Sequence, residues 1–172
     1  MTRFRSALLV LLLPLGLHAE DKQPAFKSKE GKFSVALPDK PTEKTNSVKF
    51  GEIEVKMHVF AVKHNEGVFL VTYNDYPKDV IGNDGGKFLA GVVERNAANL
   101  KGKLTSNEKI TIGKKKHPGH IVRIEMPDDK RLYRARVFLV DDRLYQVVAL
   151  GPDEFAKSKA VDDYLNSFEI DE

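Results

Sequence analysis

The sequence predicts an α+β fold, a mainly antiparallel sheet flanked by helices. Ile53, Val55, Met57, Val59 and Ala61 alternate with Glu52, Glu54, Lys56 and His58, which is the period of a strand with two unlike faces. Leu89, Val92, Val93, Asn96 and Leu100 recur at three- and four-residue spacing, which is the period of a helix. The other strand-like segments follow one another through turns too short for crossover helices, so neighbours pair antiparallel.

At the start of the chain Arg3 and Arg5 precede an apolar run at 7–13, and Pro14, Gly16 and Ala19 follow. A basic head, a short apolar stretch and a small residue at the cut are the marks of a cleaved export signal over 1–19. The run is shorter than the about 20 residues a membrane span needs. Residues 20–31 are polar and lysine-rich and read as a flexible lead-in, leaving 32–170 as a single domain. Phe33-Ser34-Val35-Ala36-Leu37 reads as a strand stopped by Pro38. Residues 48–50 and 52–63 form a hairpin about Gly51, and Gly67 opens a strand over 68–73.

Asn83 or Asp84 caps the helix that runs to about Leu100, and Gly102 stops it. Strands resume at 109–112, 120–126, 131–140 and 143–150, separated by turns rich in Lys, Pro, Gly and Asp. Gly151 and Pro152 break the last of them. Asp153 caps a final helix to about Ser167 that buries Phe155, Val161, Tyr164, Leu165 and Phe168.

Composition narrows the function. Removing nineteen of 172 residues leaves 153, enough for one core. It also takes Arg3 and Arg5, so Lys plus Arg falls from 28 to 26 against 25 acids and the mature net charge is +1. A nucleic-acid partner is not expected at that balance. The chain has no cysteine, which excludes disulfides and a lipidated cysteine after the cut. No later segment is long and apolar enough to cross a membrane. An exported chain held together by its core alone fits a bacterial envelope, periplasmic or secreted.

Several short motifs then resemble one family. Phe33-Ser34-Val35-Ala36-Leu37-Pro38 with Pro41 is similar to the opening of PsbP-like exported proteins. Arg136-Val137-Phe138-Leu139-Val140-Asp141-Asp142-Arg143-Leu144-Tyr145, followed by Gly151-Pro152, resembles their central hairpin. Leu165-Asn166-Ser167-Phe168 resembles their closing segment, with Tyr164 where Phe is usual. The resemblance implies the α/β/α sandwich shared by PsbP and the Ran-binding nucleotide-release factors. Its members are mainly binding proteins, and it carries over no functional residue.

No catalytic constellation stands out. Gly82 to Gly86-Lys87 has three intervening residues where a phosphate loop needs four, and Phe88 replaces the hydroxyl, so the segment reads as a helix cap. His117 and His120 flank a Pro-Gly turn with no third ligand near in sequence, so no metal and no cofactor are expected. Of the adjacent acid pairs, Asp162-Asp163 would point apart on a helix, while Asp128-Asp129 and Asp141-Asp142 occupy turns, where Asp is expected for local hydrogen bonding. His58 and Tyr73 are the residues an enzyme would draw on as acid or base.

Pairing Met126 with Arg131 across the 127–130 turn sets Arg123 opposite Arg134 and Ile121 opposite Arg136. Arg123, Arg134 and Arg136 then share one sheet face beside Glu125 and form a candidate site for a small anion. The leading expectation is a non-enzymatic exported binding or accessory module for an unidentified envelope protein. The alternative is a periplasmic carrier of a small anionic ligand.

Overall fold

A computed structural model describes residues 25–50 and 52–172. The expected export signal, 1–19, lies outside the described residues, as do 20–24. The elements are β1 (Phe26–Ser28), β2 (Phe33–Val35), β3 (Thr42–Phe50), β4 (Ile53–His64), β5 (Gly67–Asp75), α1 (Lys78–Ile81) and α2 (Gly85–Asn99). There follow β6 (Lys103–Ile112), β7 (His117–Met126), β8 (Arg131–Val140), β9 (Arg143–Pro152), α3 (Asp153–Ala156), α4 (Lys159–Asn166) and β10 (Glu169–Ile170). The strands form a large sheet in the order β3-β4-β5-β9-β8-β7-β6 and a small one in the order β1-β2-β10, antiparallel throughout. The fold is α+β, as the sequence predicts.

Each face of the large sheet has its own core. On the first face the small sheet, α3 and α4 cover Phe60, Phe69, Val71, Tyr73, Phe138, Tyr145 and Val147, with Phe33 and Phe168 at the centre. Phe33 touches the rings of Phe26, Phe60, Tyr73, Tyr145 and Phe168. On the second face α2 presses Phe88, Leu89, Val92 and Val93 onto Val122, Ile124, Tyr133, Ala135 and Val137. α2 lies over β6, β7 and β8.

Sequence and structure part company at the element ends. Phe26–Ser28, within the expected lead-in, forms a strand that pairs with β2. β3 and β6 start at Thr42 and Lys103, well before the expected 48 and 109, because they are the polar edge strands of the large sheet and carry little apolar signal. The final helix is two helices: Ser158 interrupts it and caps α4 by accepting from the Val161 amide. Of the two candidate caps for α2, Asp84 is the one used, accepting from the Lys87 amide at 3.0 Å.

Gly102 does not end α2 through a left-handed backbone. Lys101 takes that conformation, at φ 50°. At Gly102 a Cβ would stand 2.4 Å from Ile124 Cγ2 and 2.9 Å from the Glu125 carbonyl, so glycine lets the chain leaving the helix pass against β7. Among the described residues no helix is long and apolar enough to cross a membrane.

Candidate functional site

The arginine register is as the sequence predicts: Arg123 pairs with Arg134, Ile121 with Arg136 and Met126 with Arg131. The three arginines share the first face, next to α3 and α4. Arg134 donates to the Ala156 carbonyl at 2.8 Å and to Asp162 Oδ1 at 2.7 Å, and Arg136 donates to Asn166 Oδ1. Two of the three guanidinium groups therefore fasten the last helices to the sheet. Burial, and then the charge of Arg134, pulls the Arg136 guanidinium below its usual value. Arg123 keeps Glu125 at 3.8 Å from its Nε, too far for a hydrogen bond, and that nitrogen is buried without one among the described residues.

The two histidines of the Pro-Gly turn do not converge. Three positions apart on β7, they leave opposite faces. His117 Nε2 lies 3.6 Å from Glu172, and His120 Nδ1 lies 2.5 Å from Asn107 Oδ1. Burial, with Lys109 nearby, lowers the affinity of His120 for a proton. Asp162 and Asp163 do point apart, to Arg134 and Lys159.

A different region is left open. α2 stops short of β3, β4 and β5, and the small sheet covers them only in part on the other face, so a cleft lies on each side of this limb. The cleft on the first face, about 400 Å³, is bordered by Phe26, Lys29, Glu30, Glu43, Thr45, His58 and Tyr73. The one on the second face, about 370 Å³, lies between the end of α2 and the Asn46, Met57, Val59, Leu70 and Thr72 positions of β3–β5. β3 itself is a sheet edge, exposed along 42–49, with Val48 37% exposed.

His58 and Tyr73 meet in the first cleft. They are register partners across β4 and β5, and their rings stack at 4.4 Å with 8° between planes. Because β9 flanks β5 on the other side, Arg143 reaches the opposite face of the Tyr73 ring, its Cζ 4.5 Å from the centroid. Asp75 holds that guanidinium with two bonds, of 2.5 and 2.7 Å, and Arg143 also donates to the Glu30 carbonyl at 2.8 Å. The Tyr73 side chain is 1% exposed, and its hydroxyl has no hydrogen-bond partner among the described residues. Burial, and then the charge of Glu30, pushes its pKa up to about 12. With no partner on the Tyr73 hydroxyl among the described residues, the pair lacks the hydrogen bond by which a base activates its partner.

In the second cleft Asn96 of α2 donates to Gln146 Oε1 at 2.7 Å and to the Tyr133 hydroxyl at 3.3 Å. Thr72, 5% exposed, keeps a buried Oγ1 without a partner among the described residues. The sequence marks the strands that flank these clefts but not the clefts themselves, since a hydroxyl on β5 carries no mark of where α2 ends.

No known protein family and no curated protein matches this sequence. Among solved structures, the solution structure of cyanobacterial PsbP (CyanoP) from Synechocystis sp. PCC 6803 is similar, with a TM-score of 0.58 at 14% identity over 86% of this chain and 91% of that one. At that identity the likeness is one of fold, and the chain has a PsbP-like fold.

Proposed function

We propose that the mature protein is an exported, non-enzymatic binding or accessory module that engages an envelope protein through the β3–β4 limb. The observation that carries this reading is the limb's lack of cover: a cleft on each face and a nine-residue free edge between them. A free antiparallel edge offers a row of backbone donors and acceptors, and the flanking clefts offer pockets for alternate side chains of an added strand. The basic head and apolar run at 1–19 support export. The stacked, unbonded His58–Tyr73 pair gives no support to acid–base catalysis.

The test is affinity capture of the tagged mature protein from its native envelope, read by quantitative mass spectrometry. One stoichiometric partner is expected, lost with the Ser47→Lys/Val48→Lys variant and kept with Lys109→Glu on the opposite edge. Equal capture by all three proteins, or none by any, would defeat the reading.

A second reading, the anion carrier, draws on Arg123, whose buried Nε has no hydrogen bond. Phosphate would then raise the melting temperature of the unaltered protein and not that of Arg123→Ala. The absence of any rise would remove this reading.

A further inference from the structure

We infer that the turn between β6 and β7, residues 113–116, forms with His117 a binding site for a small oxyanion, a carboxylate or a phosphate, which the chain closes with its own Glu172 side chain. The site goes beyond the binding reading above and does not depend on it, since β6 and β3 are opposite edges of the large sheet.

The backbone builds the site. The consecutive amides of Lys114 and Lys115 donate to Glu172 Oε2 at 2.9 Å and to Oε1 at 3.4 Å. Consecutive amides turned to one side make a concave nest for an anion. The Lys116 amide closes the turn on the Gly113 carbonyl at 3.2 Å, with φ at 73° for Gly113 and 54° for Lys116. His117 Nε2 stands 3.6 Å from the same Oε1 that the Lys115 amide meets. At Gly113 a Cβ would come within 2.4 Å of that oxygen. Glycine therefore does two things there: it takes the left-handed backbone, and it leaves the hollow in which the carboxylate sits. The bond from the Lys114 amide is the main cause that holds the Glu172 carboxyl below its usual value, so the nest favours the charged form.

Two donors that meet two oxygens of one group select the ligand. A carboxylate presents such a pair, and so does a phosphate, whereas chloride is a single centre. Glu172 is a tethered occupant. It follows β10, whose Ile170 pairs with Phe33, and the Asp171 amide donates to the Lys32 carbonyl at 2.9 Å. A tethered group competes at an effective concentration on the order of millimolar, so a free anion takes the turn only above that range. Filling the turn from solution and loosening the segment after β10 are then linked events.

The test replaces chloride with acetate or phosphate at constant ionic strength and pH 7, with ¹⁵N-labelled mature protein followed by amide shifts. Glu172→Ala is expected to give saturable shifts at the Lys114 and Lys115 amides with both oxyanions. The unaltered protein should need at least tenfold more of either. Glu172→Ala/Gly113→Ala, whose new Cβ fills the place of the carboxylate oxygen, should bind neither, with unchanged β7 and β8 shifts reporting an intact sheet. The Asp171 amide should exchange several-fold faster with solvent in Glu172→Ala.

Equal affinity in the unaltered protein and Glu172→Ala would reduce the effect to ion pairing with exposed lysines and overturn the inference. So would the absence of shifts at Lys114 and Lys115 in Glu172→Ala, or unimpaired binding in the double variant. Unchanged exchange at Asp171 would overturn the closing role of Glu172. The comparison of Glu172→Ala with the unaltered protein decides the matter even if the double variant does not fold.

Discussion

On β8 the Arg134 guanidinium is spent on the Ala156 carbonyl and Asp162, while two strands away on β5 the Thr72 hydroxyl, also withdrawn from water, bonds nothing among the described residues. The same contrast runs through the two limbs of the large sheet. In the β7–β8 limb each face meets a helix, and Tyr133, Arg134 and Arg136 bond to those helices. In the β3–β5 limb Tyr73 and Thr72, neighbours in sequence and opposite in facing, end in two orphaned oxygens beside two clefts. Arg123 Nε is the exception on the covered side, with Glu125 3.8 Å away. Where a helix packs on the sheet, a polar residue on a strand becomes a structural tie, as Arg134 does, whereas Thr72 and Tyr73 are buried without one.

The largest effect should come from the centre of the covered first face. Phe33→Ala removes the ring that five other aromatic rings touch, and should cost about 3–5 kcal/mol in urea unfolding. A loss below about 1 kcal/mol would mean that the small sheet does not close that core.

Arg134→Ala should cost about 1–2 kcal/mol, discounted for a partly exposed pair, because it strands the Ala156 carbonyl and Asp162. The α3–α4 amides should exchange faster with solvent at the same time. If they do not, the arginine is not a tie and the contrast between limbs weakens.

Thr72→Val should go the other way and raise stability by up to about 1 kcal/mol, since it replaces an unpaired buried hydroxyl with a methyl of like size. A clear destabilisation would show that the hydroxyl has a partner in solution. The smallest effect is a slope. Burial lowers the folded pKa of His120, so unfolding takes up a proton there. That contribution is fully present above the unfolded value, about pH 6.5, and is lost as pH falls through the folded one. His120→Gln should therefore flatten the acid-side decline of stability below about pH 6.5, and an unchanged slope would remove His120 as a cause.

Much of the fold was legible because the signals are local. The 143–150 strand and the helix after Asp84 follow from period and cap, and the 127–130 turn alone put Arg123, Arg134 and Arg136 in their observed register. Illegible elements were those without a local mark. β6 begins Lys103-Leu104-Thr105-Ser106-Asn107-Glu108, polar on both faces because it is an edge, and β10 is two residues long. The clefts were hidden for another reason. Alternation over 53–61 marks β4 as a strand but not which side a helix will cover: Phe60 and Val62 are buried in the first-face core, while Met57, Val59 and Ala61 face the second side half-buried. Where α2 stops relative to those residues is a property of the packed whole.

The most direct test of the open limb is site-specific photo-crosslinking in the native envelope, with benzoylphenylalanine placed at Val48 on β3 or at Lys109 on β6. One discrete protein adduct is expected from position 48 and none from 109. An adduct from 109 alone would put the binding side at the other end of the sheet and contradict it.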